Sequence, residues 1–361
     1  MLTILADHNI AHLSDYFNNS VLGVSINLMS MAGRDITAEV LEEYQPDALL
    51  IRSVTSVNKA LLSDNSSVQF AGSATIGTDH VDMDYLSKRG IAFANASGCS
   101  KHSVAQYVIT TILTLRPQFW HQSMTLGIIG LGNIGSTLAD YANDMGWQVL
   151  GYDPFLKSSR TNNATFEQVL KQSDVISLHV PLTTPQQSPH PTYHLIDANA
   201  LNKMPIDTML INTARGAVVN KTDLLKDIAT TDRTVVLDVF EHEPVVSEEL
   251  LNQLAIATPH IAGYTLEGKL RGTQMVFEAF VATFANRLNI TNSPTINDLL
   301  PPNPYHWQAL LSNPEKLAEF YDIMADDAML RRAVNDNSKR VEGTVFDELR
   351  KAYQLRREWV K

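Results

Sequence analysis

The chain has 361 residues, 44% hydrophobic and 19% charged, which suits a globular protein of two or three domains. Its net charge of -11 argues against a broad basic face for nucleic acid or for a membrane surface. The single cysteine, Cys99, cannot close an internal disulfide, which fits a reducing cytoplasm, and no apolar run approaches the roughly 18 residues that span a bilayer.

The opening, Met1-Leu-Thr-Ile-Leu-Ala-Asp7, reads as a first strand rather than a signal peptide, because an acid comes early and no basic stretch precedes it. Strands are expected at residues 2–5, 48–51, 68–71 and 91–94, with helices at 38–44 and 83–88 between some of them. A helix over 102–115 follows, with apolar residues at helical spacing and Pro117 as its stop. A second α/β unit then starts at Leu126. Its strands are expected at 148–152, 175–179, 208–211, 235–239 and 256–258, and its helices near 134–145, 166–171, 198–203, 221–228 and 248–254. Thr165 with Gln168 fits a capping box, and Gly146 fits a helix stop. Residues 265–288 read as one long helix that returns the chain to the first unit. A proline-rich linker begins at Thr291, and beyond it helical patterns recur at 314–329 and 345–360.

Gly130-Leu-Gly132-Asn-Ile-Gly135 follows an apolar strand and opens a helix. The first glycine permits a tight turn, the second lets backbone approach a pyrophosphate, and the third lets helix and strand pack closely. The amides of Asn133 and Ile134 would face the phosphates at the helix N-terminus. Asp153 ends the next strand, where a carboxylate takes ribose hydroxyls and repels a 2′-phosphate, so NAD is favoured over NADP.

Three further groups stand just past apolar runs that read as buried parallel strands: Arg215 in Asn212-Thr-Ala-Arg-Gly216, Glu243 in Leu237-Asp-Val-Phe-Glu-His-Glu-Pro244, and His260 in Thr258-Pro-His-Ile-Ala-Gly263. Any one of them alone is as readily a surface or core residue. Together, at successive strand ends, they form a proton-transfer set: an imidazole as acid and base, a carboxylate to orient it, and a guanidinium to hold an anionic substrate. The chemistry expected is hydride transfer from an alcohol carbon, with His260 taking the hydroxyl proton. Asp238 suits either the nicotinamide end of a cofactor or bonds to nearby backbone amides. Nothing in the sequence beside Cys99 activates its thiol.

These motifs, in this order, resemble the NAD-dependent D-2-hydroxyacid dehydrogenases over residues 1–290. The resemblance implies that Arg215, Glu243 and His260 are catalytic. It places substrate on Ser53, Thr75 and Tyr264, and NAD on Asp153, Asp238, Gly263 and the turn from Thr213 to Arg215. After His179 some relatives carry Thr where this chain has Val180, so only a backbone contact to NAD is implied there. The stretches from Ile51, Thr78 and His260, and the final Leu355-Arg-Arg-Glu-Trp, resemble one branch of the family. That branch implies a small phosphorylated hydroxy acid as substrate and a homodimer. Arg52, Lys269 and Arg271 are then candidates for the phosphate, or else solvated charges.

The architecture expected is α/β: two Rossmann/flavodoxin-like parallel-sheet domains around a cleft, plus a C-terminal α+β dimerisation domain. The boundaries expected are 1–95, completed by 265–290, for substrate, 96–264 for NAD, and 291–361 for dimerisation. No metal, nucleic acid or membrane is expected as a partner. The rivals are a phosphoglycerate or glyoxylate enzyme of the same family, and an NAD-sensing protein without turnover.

Overall fold

The computed structural model describes residues 1–62 and 67–361. The chain forms two compact units, residues 1–100 with 265–303, and residues 101–264 with 304–361.

The first unit is built on β1 (Leu2–Asp7), β2 (Ile26–Met31), β3 (Ala48–Ile51), β4 (Phe70–Ser73) and β5 (Ala92–Asn95), all parallel, in the order β2-β1-β3-β4-β5. Ala48–Ile51 is buried throughout, as befits a strand covered on both faces. One face packs against the helix Leu266–Thr283, whose Leu270, Val276, Phe277 and Phe280 join Ile4, Leu50 and Phe70. The other face gathers Leu5, Leu49, Ile51, Leu41 and Leu86. Strand β2 is absent from the sequence expectations. It is an edge strand with only partial burial, so its Ile-Asn-Leu-Met-Ser-Met pattern carries little of the apolar signal that marks its neighbours.

The second unit has a parallel sheet of β6 (Thr125–Ile129), β7 (Gln148–Tyr152), β8 (Val175–Leu178), β9 (Met209–Asn212), β10 (Val235–Leu237) and β12 (Ile256–Ala257). Its order is β12-β10-β9-β8-β6-β7. The order reverses between β6 and β8, and ligands of open α/β sheets bind at the carboxyl ends beside such a switch. The helices Lys101–Leu115 and Asn133–Asp144 cover one face, and Phe166–Gln172 and Lys221–Thr231 the other. The capping box of Thr165 and Gln168 is present, and Gly146 follows its helix at φ 71°.

Residues 304–361 pack as part of this unit. Trp307 and Trp359 stack with ring centroids 5.3 Å apart, and Tyr141 meets Trp307 edge-on. Strand β13 (Arg340–Val341) pairs antiparallel with β11 (Val246–Ser247). Two expected helices are shorter in the structure. The first is interrupted between Leu317–Phe320 and Ile323–Arg332, because Tyr321 is extended and Asp322 caps a new start through the amide of Ala325. The second is Gly343–Ala352 only. The chain then runs extended, since Arg356 and Trp359 bond to distant partners and Val360 bonds to Tyr305.

Candidate active site

The glycine-rich turn has the geometry its sequence calls for. Gly130 has φ 93°, and a Cβ there would lie 2.8 Å from the His179 carbonyl oxygen and 2.9 Å from Val180. The carboxyl ends of β6 and β8 therefore touch through this residue. A Cβ on Gly135 would lie 2.0 Å from the Gly130 carbonyl oxygen, so only glycine lets the helix start this close to the turn. A Cβ on Gly132, by contrast, would meet nothing within 4 Å, which leaves that backbone open to an approaching group. Gly132 offers the helix Asn133–Asp144 no side-chain cap, so the first-turn amides of Asn133 and Ile134 present a partial positive charge. Asp153 accepts from Leu131 N and Phe155 N, both at 3.0 Å, and braces the turn while each oxygen keeps a second lone pair.

At the carboxyl ends of β8 and β9 two buried polar atoms, His179 Nδ1 and Thr213 Oγ1, have no hydrogen-bond partner among the described residues. Burial holds the His179 ring neutral, with its pKa pushed down to about 3. An open glycine backbone, a helix N-terminus and two buried atoms on adjacent strands without partners among the described residues fit a dinucleotide laid across this edge.

His260 follows β12 at φ 56°, a left-handed conformation that turns its ring toward Glu243. Nδ1 donates to Glu243 Oε1 at 2.7 Å, across seventeen residues. Burial pushes the Glu243 carboxyl up, but the hydrogen bond and charge of His260, the amide of Phe240 and the Arg350 charge hold it below the usual range. The carboxylate is thus ionised and the imidazole tautomer fixed, with Nε2 facing no hydrogen-bond partner among the described residues. A second pair leaves the same loop: His194 Nε2 and Glu241 Oε1 lie 2.6 Å apart.

Arg215 begins the short helical turn Gly216–Val218 that follows β9. Asn212 holds it by accepting from Ala214 N and donating to the Arg215 carbonyl. A Cβ on Gly216 would lie 2.0 Å from the carbonyl oxygen of Phe240, so the Arg215 turn presses directly on the backbone leading to Glu243. The Arg215 guanidinium donates to the Ala214 carbonyl at 2.8 Å.

Asp238, at 1% exposure, accepts from Thr258 Oγ1 at 2.6 Å, Ile261 N at 2.8 Å and Ala262 N at 3.0 Å. Burial raises its pKa, a shift these donors and the His260 charge oppose. Its carboxylate thereby fixes the loop that follows His260. The opposite edge of that loop is held by Arg356, whose guanidinium donates to the carbonyls of Ile261, Ala262 and Tyr264. Tyr264 itself stacks edge-on against Tyr353, at 6.1 Å, and Gly263 lies between these anchors.

Sequence reasoning did not single out Thr258, Arg350, Tyr353 or Arg356 for this site. Arg356 lies in a motif read only as part of a dimer domain, and no local pattern says that its partners are carbonyls 92 to 95 residues away.

Ser53 and Thr75 belong to the first unit, just past the carboxyl ends of adjacent strands β3 and β4. Thr75 Oγ1 bonds Ser73 Oγ at 2.8 Å, and Asn95 donates to the Ile76 carbonyl, which holds the Thr75–Gly77 turn. Arg271, in the same unit, bonds the Cys99 carbonyl.

Residues 114–262 match the NAD-binding domain of D-isomer specific 2-hydroxyacid dehydrogenases, and residues 308–361 match a domain of unknown function. An erythronate-4-phosphate dehydrogenase from Psychrobacter sp. strain PRwf-1 is 63% identical over 100% of both chains. The chain belongs to the erythronate-4-phosphate dehydrogenase family. A relative of the same name from Acinetobacter baumannii is 47% identical over 99% of this chain and 98% of its own. Among solved structures, a glyoxylate reductase from Paecilomyes thermophila is similar with a TM-score of 0.67 at 25% identity, over 80% of this chain and 97% of its own. The matched NAD-binding domain spans Gly130, Asp153, Arg215, Asp238, Glu243 and His260. No helix among the described residues is long and apolar enough to cross a membrane.

Proposed function

We propose that this chain oxidises 4-phospho-D-erythronate to (R)-3-hydroxy-2-oxo-4-phosphooxybutanoate with NAD, a step of pyridoxine 5′-phosphate biosynthesis. The observation that carries this reading is the His260–Glu243 pair, at 2.7 Å, in the unit that also holds the glycine-rich turn. Full-length similarity to relatives named for that substrate gives the substrate class.

In this reading His260 Nε2 accepts the proton of the substrate C2 hydroxyl. Glu243 keeps the ring in the tautomer that presents Nε2 and stabilises the imidazolium that forms. Arg215 holds the carboxylate beside the reacting carbon. Ser53, Thr75 and Tyr264 bind the rest of the substrate. Gly130, Gly132, Asn133, Ile134, Gly135 and Asp153 hold the dinucleotide, with Val180, Thr213 and Gly263 as further contacts and Asp238 at its nicotinamide end. NAD, when bound, supplies the hydride acceptor. The protein works as a homodimer in the cytoplasm.

The test is NADH formation by the full chain with 4-phosphoerythronate, its unphosphorylated analogue and 3-phosphoglycerate. The phosphorylated four-carbon acid should exceed the analogue in kcat/KM by about 100-fold. Faster turnover of 3-phosphoglycerate would replace this substrate with the rival one. No turnover of any hydroxy acid, with NAD bound, would leave a sensor.

A further inference from the structure

The helix Gly343–Ala352, within the domain of unknown function, lies on the loop that carries Glu243. Its buried Phe346 meets Phe240 edge-on at 6.1 Å, and a Cβ on Gly343 would stand 3.0 Å from Pro244. One turn further along the same face comes Arg350. Its guanidinium carbon is 5.9 Å from the Tyr264 ring centroid, close enough for a cation–π contact that pre-orients the side chain. Its Nε–H is buried and has no acceptor among the described residues. Its ion pair with Asp347 is long, at 3.7 Å, and a quarter of the side chain stays exposed.

Neighbouring arginines are differently placed. Arg356 is committed to the carbonyls of Ser103, Ile261, Ala262 and Tyr264. Arg331 is committed to Asp327 and to the carbonyls of Leu251 and Leu254. Arg350 instead has a partly exposed side chain and an unspent, buried Nε–H, and it lies between the ring of Tyr264 and the Glu243 loop. A guanidinium fork matches a phosphate or carboxylate bidentately, and a buried N–H gains most from a charged acceptor. In the proposed reaction the carboxylate already has Arg215, whereas the phosphate at the far end has no cation assigned from this unit.

We infer that Arg350 is a specificity-determining residue that recognises the substrate's phosphate. The inference rests on the proposed phosphorylated substrate. It gives the domain of unknown function a part in substrate choice.

The experiment measures initial rates for wild type, R350Q and R350K with 4-phosphoerythronate and with erythronate, alongside competitive inhibition by inorganic phosphate. R350Q should raise KM for the phosphorylated acid by about 30-fold and leave kcat within about 3-fold. It should lower kcat/KM for erythronate at least about 5-fold less than for the phosphorylated acid and weaken phosphate inhibition by about 10-fold or more. R350K, which keeps the charge but not the fork, should fall between the two and carries the test if R350Q does not fold. Equal losses on both acids, or an unchanged KM and phosphate inhibition in whichever variant folds, overturns the inference. A wild type inactive on 4-phosphoerythronate would instead sink the functional reading, before any variant is compared.

Discussion

Two histidine–glutamate pairs leave one loop of the second unit, and they differ in what the other ring nitrogen does. His260 and His194 both adopt left-handed backbone, at φ 56° and 53°, and both sit within 2.7 Å of a carboxylate two residues from the other's. His194, however, is bonded at both nitrogens, for Asn220 Nδ2 lies 3.1 Å from Nδ1, and Tyr193 stacks on its ring at 3.9 Å. Its partner Glu241 also accepts from the Lys221 amide. His260 has one nitrogen held and the other without a hydrogen-bond partner among the described residues. An imidazole tied at both ends is a strut, and one tied at a single end can pass a proton. A histidine–carboxylate distance alone does not separate the two roles.

The widest separation should come from removing each ring. His260→Ala should lower kcat/KM by about 1,000-fold or more while NAD affinity, followed by fluorescence, stays within about 2-fold. His194→Gln should cost less than about 5-fold in activity and about 1 kcal/mol in stability. Comparable activity losses in both variants would erase the distinction. Gly216→Ala should disturb both pairs at once, since the new methyl meets the Phe240 carbonyl at 2.0 Å. A loss of about 2–3 kcal/mol is expected, read as a lower melting temperature together with reduced turnover. An unchanged melting curve would mean that the two turns do not support each other.

His179 sharpens the comparison as a histidine with no acid beside it among the described residues. Its pKa of about 3 lies below the ordinary 6.5, so the unfolded chain takes up this proton first as pH falls. The contribution is full above about pH 6.5 and is lost progressively toward pH 3, amounting to about 2 kcal/mol by pH 5. Denaturant unfolding of the NAD-free protein should show this slope, and His179→Gln should flatten it. A slope indifferent to the substitution would assign the acid sensitivity elsewhere. The smallest effect is expected at Asp153, where Asp153→Ala should cut the preference for NAD over NADP by about 10-fold in kcat/KM. An unaltered cofactor ratio would show that the carboxylate only braces Leu131 and Phe155.

Much of this was legible in the chain because local chemistry wrote it there. The glycine spacing, the apolar parallel strands and the strand-end Arg215, Glu243 and His260 each depend on neighbours close in sequence. Buried strands such as Ala48–Ile51 announce themselves, while the half-covered edge strand Ile26–Met31 does not. Asp238 was readable as a strand-end acid, but its use as the brace for Ile261 and Ala262 needed coordinates. The C-terminal helices were legible as amphipathic segments, though not their ends. A local cap from Asp322 and tertiary bonds from Arg356 and Val360 override helical periodicity there. The second histidine pair was beyond reach, since His194 and Glu241 are separated by 47 residues and no motif links them.

The grip of Arg356 on the loop after His260 has a consequence for the order of assembly. Ala262 and Arg356 are 94 residues apart, so the loop waits for a segment that leaves the ribosome much later. A nascent chain stopped short of residue 356 lacks the guanidinium that holds those carbonyls, so its proton-transfer loop is still unset. That loop should therefore be set late in synthesis.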